Sequence, residues 1–301
     1  MNQSGGFLKR YSLLIGIILM FLFTWPIDLA NSGILPIQVP FAVYIFLGWG
    51  FIIASVLMTG LTIGKEGVTS LLKRYLHWRV GWQWYLMAFG LLPVLWIAGV
   101  YLYAALVRLP PDFSTIMAYD IFGQSANLPL FVVPFFLIDI ITNGEEIGWR
   151  GYSLPRLQTK YSALTSTLIL GVVWGFWHLP KFLSNFNATA LTWFMVHIIA
   201  FAVILTWLYN GTRGSLLLVA ICHAASNTVN IFLPVANTTS GENMGAYITI
   251  VLLEAVTAII VTIIAGPVRL SRTEQMQEQV CISNPKALSN QSLHLTPLSP
   301  R

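Results

Sequence analysis

Long, almost unbroken apolar runs dominate the chain, at about 11–30, 41–63, 83–106, 126–144, 163–180, 189–209, 214–234 and 246–268. A helix that crosses the hydrocarbon of a bilayer needs about 20 mostly apolar residues. The runs therefore predict a polytopic transmembrane helical bundle of about eight spans, an all-α fold. Barrel strands would alternate apolar and polar positions, and these runs do not. The first run follows Lys9 and Arg10 as a signal peptide would. Its length, and the lack of a small-residue cleavage site before Pro26 and Asp28, read as a retained anchor. Pro26, Pro93, Pro129 and Pro134 fall within or at the ends of spans, where neighbouring helices can satisfy the freed carbonyls.

Between the second and third runs, the stretch KEGVTSLLKRYLHWRVGW (65–82) mixes basic, aromatic and aliphatic residues. It predicts an amphipathic helix lying along the interface, with Trp78, Trp82, Trp84 and Tyr85 as an aromatic belt. The expected organisation is two N-terminal helices in 1–65, a core of six further spans in 66–270 and a polar, disordered cytoplasmic tail in 271–301. That tail ends Leu298-Ser-Pro-Arg301 and carries no prenylation motif of its own.

Composition sharpens the picture. Hydrophobic residues make up 56% of the 301 and charged residues only 9%, with a mean hydropathy of +0.73. Soluble domains carry roughly 25% charged residues. A soluble enzyme, a nucleic-acid-binding domain and a disordered chain are thereby excluded, and the bilayer itself is the first partner. The net charge of +5 follows from helix ends and calls for no nucleic acid. Cys222 and Cys281 form neither a disulfide framework nor a CxxC motif.

The basic residues also orient the bundle. Lys9, Arg10, Lys65, Lys73, Arg74, Arg79, Arg150, Arg156, Lys160, Arg213, Arg269, Arg272, Lys286 and Arg301 fall in one set of loops or termini, and only Arg108 and Lys181 in the other. Basic residues mark the cytoplasmic side, so both termini of this integral, multi-pass protein are expected in the cytoplasm.

Ionisable groups within spans are costly and point to function. Three clusters stand out: Glu145-Glu146-Ile147-Gly148-Trp149-Arg150, Trp174-Gly-Phe-Trp-His178-Leu-Pro180 and His223-Ala-Ala-Ser-Asn227. Glu146 and Arg150 are four apart and can pair along one helix face, while Glu145, rotated by about 100°, is directed elsewhere. Taken alone, the pair reads equally as a solvated ion pair of little worth. His178 alone reads as a hydrogen-bonded packing residue. His223 and Asn227, one turn apart, can bind a metal, donate to an oxyanion or bridge helices. Together the carboxylates, imidazoles and amide suit hydrolysis. An acid activates water, a histidine positions it, and imidazole and amide donors stabilise the oxyanion. The same set can instead hold a divalent metal with an open water position.

In order and spacing these clusters resemble the CPBP family of intramembrane proteases, the CAAX prenyl endopeptidase and bacteriocin-processing group. The family's signature is EExxxR, [FW]xxxH and HxxxN, here Glu145-Glu146-…-Arg150, Trp174-…-His178 and His223-…-Asn227. The resemblance covers about residues 70–268, with Trp174 in place of the commoner phenylalanine. It implies an eight-helix bundle with a catalytic cavity open toward the cytoplasm, and hydrolysis of a peptide bond in a membrane-associated, prenylated or bacteriocin-like peptide or protein. By the same resemblance Glu145 is the water-activating base, Glu146 a supporting acid paired to Arg150, His178 an aid to the water, and His223 and Asn227 the oxyanion donors. Arg150 and Trp174 are structural support. Zinc or another divalent metal, held by Glu145, His178 and His223, and a metal-free glutamate–histidine mechanism are both open. Two other classes compete: a proton-coupled transporter using the same buried groups, and a non-catalytic scaffold. Asp139, His197 and Glu254 read mainly as helix-bridging residues.

One tension remains on these boundaries. Glu145 sits at the cytoplasmic end of the fourth span, yet His178 ends a span that starts at that end, a rise of about 24 Å from Ala163. For the two to meet, the fourth span must carry Glu145 deeper, or the fifth must start later or tilt strongly.

Overall fold

Each of the eight apolar runs contains a helix among the described residues, and each helix stops where glycine, proline or a polar cluster removes the reason to continue. In the computed structural model, which describes residues 3–40, 43, 46–235 and 241–272, a short helix α1 (Gln3–Arg10) leads into α2 (Ser12–Asn31). There follow α3 (Trp49–Ile63), the interfacial α4 (Lys65–Lys73) and α5 (Trp82–Val107), the last with a π-helical stretch over Met87–Leu91. A small α6 (Ala118–Phe122) precedes α7 (Pro129–Thr142). After a break, a π-helical turn (Ile147–Ser153) passes into α8 (Leu154–Gln158). The remaining elements are α9 (Ala163–Trp177), the single turn α10 (Pro180–Leu183), α11 (Ala188–Gly211), α12 (Leu216–Phe232) and α13 (Gly245–Ala265). No strand occurs among the described residues. The expected tail from 271 lies almost wholly outside them.

The helices α2, α5, α11 and α13 are long and apolar enough to cross a membrane, whereas α3, α9 and α12 are shorter apolar helices. The all-α polytopic bundle predicted from the runs is the observed architecture. In α4, Leu71 is buried while Lys65, Glu66, Leu72 and Lys73 are exposed, an amphipathic pattern. The helix covers only the first half of the expected 65–82 stretch, which continues as a 3-10 turn (Arg74–Leu76) and irregular chain. Trp84 of the predicted aromatic belt packs on Trp207, with ring centroids 5.1 Å apart.

Small residues bring the central helices close. Gly171 faces Ile199 and Ala202 of α11, and Gly99 of α5 lies against the backbone of Ile250 of α13. Both are notches of the kind that let membrane helices pack without a hydrophobic drive between them. The tightest approach of backbone to backbone is between Gly48 and Gly144, where a Cβ on Gly144 would lie 2.4 Å from the Gly48 carbonyl oxygen.

That approach fixes the one boundary the apolar pattern misplaces. The fourth span does not end at 144. The chain breaks helix only at Asn143 and Gly144, resumes at Glu145 and continues through the π-helical turn to Gln158. Arg150 is fully buried and Arg156 nearly so, so neither is a loop residue. Both belong inside the bundle, where the fourth span carries Glu145 to the depth of Trp174. Replacing Gly144 by valine should force its surroundings apart at a cost of about 1–3 kcal/mol. Thermal unfolding of the purified variant in detergent will show this as a lowered midpoint, with Gly90→Ala, which meets nothing within 4 Å, as the neutral control.

Candidate functional site

The site is assembled from the start of the broken fourth span, the end of α9 and the middle of α12. Asn143, left out of helix by the break, turns its side-chain oxygen onto the Glu145 N–H at 3.1 Å and so caps the resuming helix. Gly148 packs beneath it on Phe51 and Met20, with no room for a side chain. The π-helical turn that follows is fully buried.

Glu146 is fully buried, and its Oε1 accepts two hydrogen bonds. One is from Arg150 Nη1 at 3.0 Å, the i,i+4 pair expected from the motif, and the other from His223 Nδ1 at 2.8 Å across the bundle. The Arg150 guanidinium also lies over the Trp174 ring, 4.6 Å from its centroid, a cation–π contact strengthened by desolvation. The alternative of a solvated surface pair is thereby excluded.

Glu145, half-buried, faces a different partner: the Trp174 indole donates to its Oε2 at 2.7 Å. The usual phenylalanine has no such donor. Trp174 also offers its carbonyl to His178 Nδ1 at 3.0 Å. A carbonyl only accepts, so Nδ1 carries the proton and Nε2 of a neutral His178 presents a lone pair. The Trp174 ring centroid is 5.5 Å from that of His223. One residue thus touches or holds Glu145, Arg150, His178 and His223.

Asn227 lies one turn beyond His223 on α12, and its amide Nδ2 donates to Asp139 Oδ2 on α7 at 3.0 Å. The Asp139 carboxylate also takes a bond from the Asn143 side chain, while the Asp139 backbone carbonyl accepts the Asn143 N–H at 2.8 Å as α7 ends. Asp139 and Asn143 therefore link the Asn227 amide to the backbone entering Glu145. The spacing motifs contain neither residue. Asp139 was singled out only as a helix-bridging acid, and Asn143 had no signal beyond the Asn143-Gly144 break. His197 and Glu254 sit apart: His197 Nδ1 and Trp96 Nε1 bond the two oxygens of Glu254 at 2.5 and 2.8 Å, tying α5, α11 and α13 together.

Among the described residues, no three His, Cys, Asp or Glu side chains gather into a set able to hold an ion. Of the three ligands named by resemblance, Glu145 is bonded through Oε2 alone, and His178 and His223 through Nδ1 alone, so a second Glu145 oxygen and both Nε2 atoms stay free.

Comparison with known proteins agrees with the motifs. Residues 125–229, which contain all three, match the family described as Type II CAAX prenyl endopeptidase Rce1-like. This segment is similar to that family. The resemblance drawn from the three motifs is borne out. The chain is also similar to CAAX prenyl protease 2 of Methanococcus maripaludis, 30% identical over 128 residues, which are 39% of this chain and 46% of that relative. The chain thus spans a little under half the length of the curated relative it matches.

The pairing of Glu146 makes a stability prediction. Glu146→Ala strands a buried Arg150 and should cost about 3–5 kcal/mol, whereas the double variant Glu146→Ala/Arg150→Met should recover most of that loss. Denaturation of both in detergent checks it; a double variant as unstable as the single one would refute the assignment.

Proposed function

We propose that this protein is an intramembrane endopeptidase that hydrolyses a peptide bond of a membrane-associated peptide or protein. The observation that carries the reading is the convergence of Glu145, His178 and His223 around Trp174 inside the Rce1-like segment. Glu145 is the base. Its Oε2 is fixed by the indole, and it takes a proton from water as the water attacks the scissile carbonyl. His178 accepts a hydrogen bond from that water through Nε2, since Nδ1 is committed to the Trp174 carbonyl.

The oxyanion is met by His223 and Asn227. With Nδ1–H given to Glu146, His223 donates from Nε2 when the ring is protonated. The Asn227 amide is oriented by Asp139, an acceptor that obliges Nδ2 to face it and leaves the second N–H for the oxyanion. The protonated Glu145 then delivers its proton to the departing amine. Every step is made by side chains of this chain acting on water and peptide. Glu146 and Arg150 hold His223 and the helix, and Asp139 positions Asn227. We further propose that both termini are cytoplasmic, from the weight of basic residues at that end of the bundle.

Glu145→Ala, His178→Ala and His223→Ala should each abolish hydrolysis of a fluorogenic peptide library while membrane insertion persists. Undiminished hydrolysis in a properly inserted Glu145→Ala protein would overturn the proposal. Asn227→Ala should lower kcat by about 10²–10³-fold. Because Asp139 acts through Asn227, Asp139→Leu should lower kcat with little change in KM, and the double variant should be no slower than Asn227→Ala alone. Steady-state kinetics on the three variants measures this.

A further inference from the structure

Helix α4 divides its surface three ways. Leu71 is buried against Gly151 of the π-helical turn. Leu72, with Leu76 and Trp78 beyond the end of the helix, is exposed and apolar. The third face is polar: at 100° per residue, positions 65, 66, 69, 70 and 73 cover about 140° of the helix, and Arg74 and His77 extend it. A groove of about 680 Å³ runs along this face. Three cations line it, Lys65, Lys73 and Arg74, against the one carboxylate of Glu66.

One wall of the groove is held from within the bundle. Arg74 Nη1 donates to the Tyr209 hydroxyl of α11 at 2.7 Å and to the Gly151 carbonyl at 3.2 Å, which fixes the guanidinium in place. Past it, the His77 carbonyl takes the Ser215 hydroxyl at 2.6 Å. A second guanidinium, that of Arg156, lies close enough to Arg74 for the two to repel. Arg156 is only 9% exposed. Among the described residues its partners are neutral: the Tyr152 carbonyl at 2.8 Å and the Tyr152 ring, whose centroid lies 3.7 Å from the guanidinium carbon. A buried cation with neutral partners, placed beside another cation, makes that wall attractive to an anion.

The border of the groove says which anion. Phosphate oxygens are the usual match for an arginine fork flanked by lysine ammoniums. Leu72 lies about 20° around the helix from Lys65, so the cationic face adjoins an exposed apolar strip. A free phosphate has no use for that strip, whereas the chains of a lipid do. Lys65, Lys73 and Arg74 also belong to the basic set that marks the cytoplasmic side, the leaflet where anionic lipids attract such residues.

We propose that the α4 groove binds the phosphate headgroup of an anionic phospholipid. Lys65, Lys73 and Arg74 meet the phosphate, and the acyl chains lie along Leu72 and Leu76. Leu71 and Arg74 both rest on Gly151, so the bound lipid braces the turn that carries Arg150. The site takes no residue from the three motifs and does not depend on the peptidase reading.

The test uses the full chain, delipidated in detergent and titrated with dioleoylphosphatidylglycerol or dioleoylphosphatidylcholine under native mass spectrometry. The first phosphatidylglycerol should bind about tenfold or more tightly than phosphatidylcholine, and should raise the unfolding midpoint. Each lysine near an anionic surface contributes about fivefold in affinity. Lys65→Gln/Lys73→Gln should therefore weaken phosphatidylglycerol about 25-fold and leave phosphatidylcholine unchanged. Lys9→Gln/Arg10→Gln removes the same charge from exposed positions outside the groove and should bind both lipids as the unaltered protein does. Both variants change exposed side chains, and each should unfold at the unaltered midpoint without lipid. Equal affinity for the two lipids, or an equal loss in both variants, overturns the proposal. Inorganic phosphate alone is the last arm: if it displaces the lipid and raises the midpoint as far, the groove is a free-phosphate site and the lipid assignment falls.

Discussion

A carboxylate cannot be taken out of water and lipid alike unless its charge is met, and Glu146 is the point where this bundle obeys that rule. With no exposure at all, it must receive both Arg150 from its own helix and His223 from α12. An ion left unpaired in such a place costs several kcal/mol. The need to pair it therefore dictates much else. The fourth span has to pass beside α12, the helix has to present positions 146 and 150 together, and His223 has to be turned with one nitrogen toward Glu146. The glycines at 144, 148 and 151 follow from the same demand. Each lets the stretch that carries these charges press against α3, α4 or α12.

Trp174 distributes that order to the remaining groups. Its ring shields Arg150, its N–H holds Glu145 and its carbonyl sets the tautomer of His178. The two neighbouring glutamates thus have different fates despite adjoining positions. One is locked in a buried ion pair, and the other keeps a single tether and partial exposure, as a group that must meet water requires.

Much of this was legible in the amino-acid order because membrane folding is governed by a coarse signal. Eight apolar runs gave eight helices, since every backbone group in hydrocarbon must be bonded within its own segment. The i,i+4 pairing of Glu146 with Arg150 needed only helix geometry. The fourth span was misjudged because hydropathy weighs each residue separately, and the stretch from Glu145 to Arg156 looks like a loop until Glu146 and Arg150 cancel one another. Asp139, read as a helix bridge, does join α7 to α12, but its partner Asn227 lies 88 residues away and no local period names it. His197 and Glu254, read as helix bridges, do join two helices, with Trp96 adding a third.

The short helices carry a consequence for the lipid around them. The fifteen residues of α3 and of α9 rise about 22 Å each, against a hydrocarbon thickness of about 30 Å. A bilayer meeting such walls thins locally, or the protein settles in membranes that are already thin. The dimple this makes beside α3 and α9 would bring headgroups and water down toward Glu145, shortening the distance that an extended peptide backbone must travel through hydrocarbon. Acyl-chain length thereby becomes a property of the reaction as well as of the solvent.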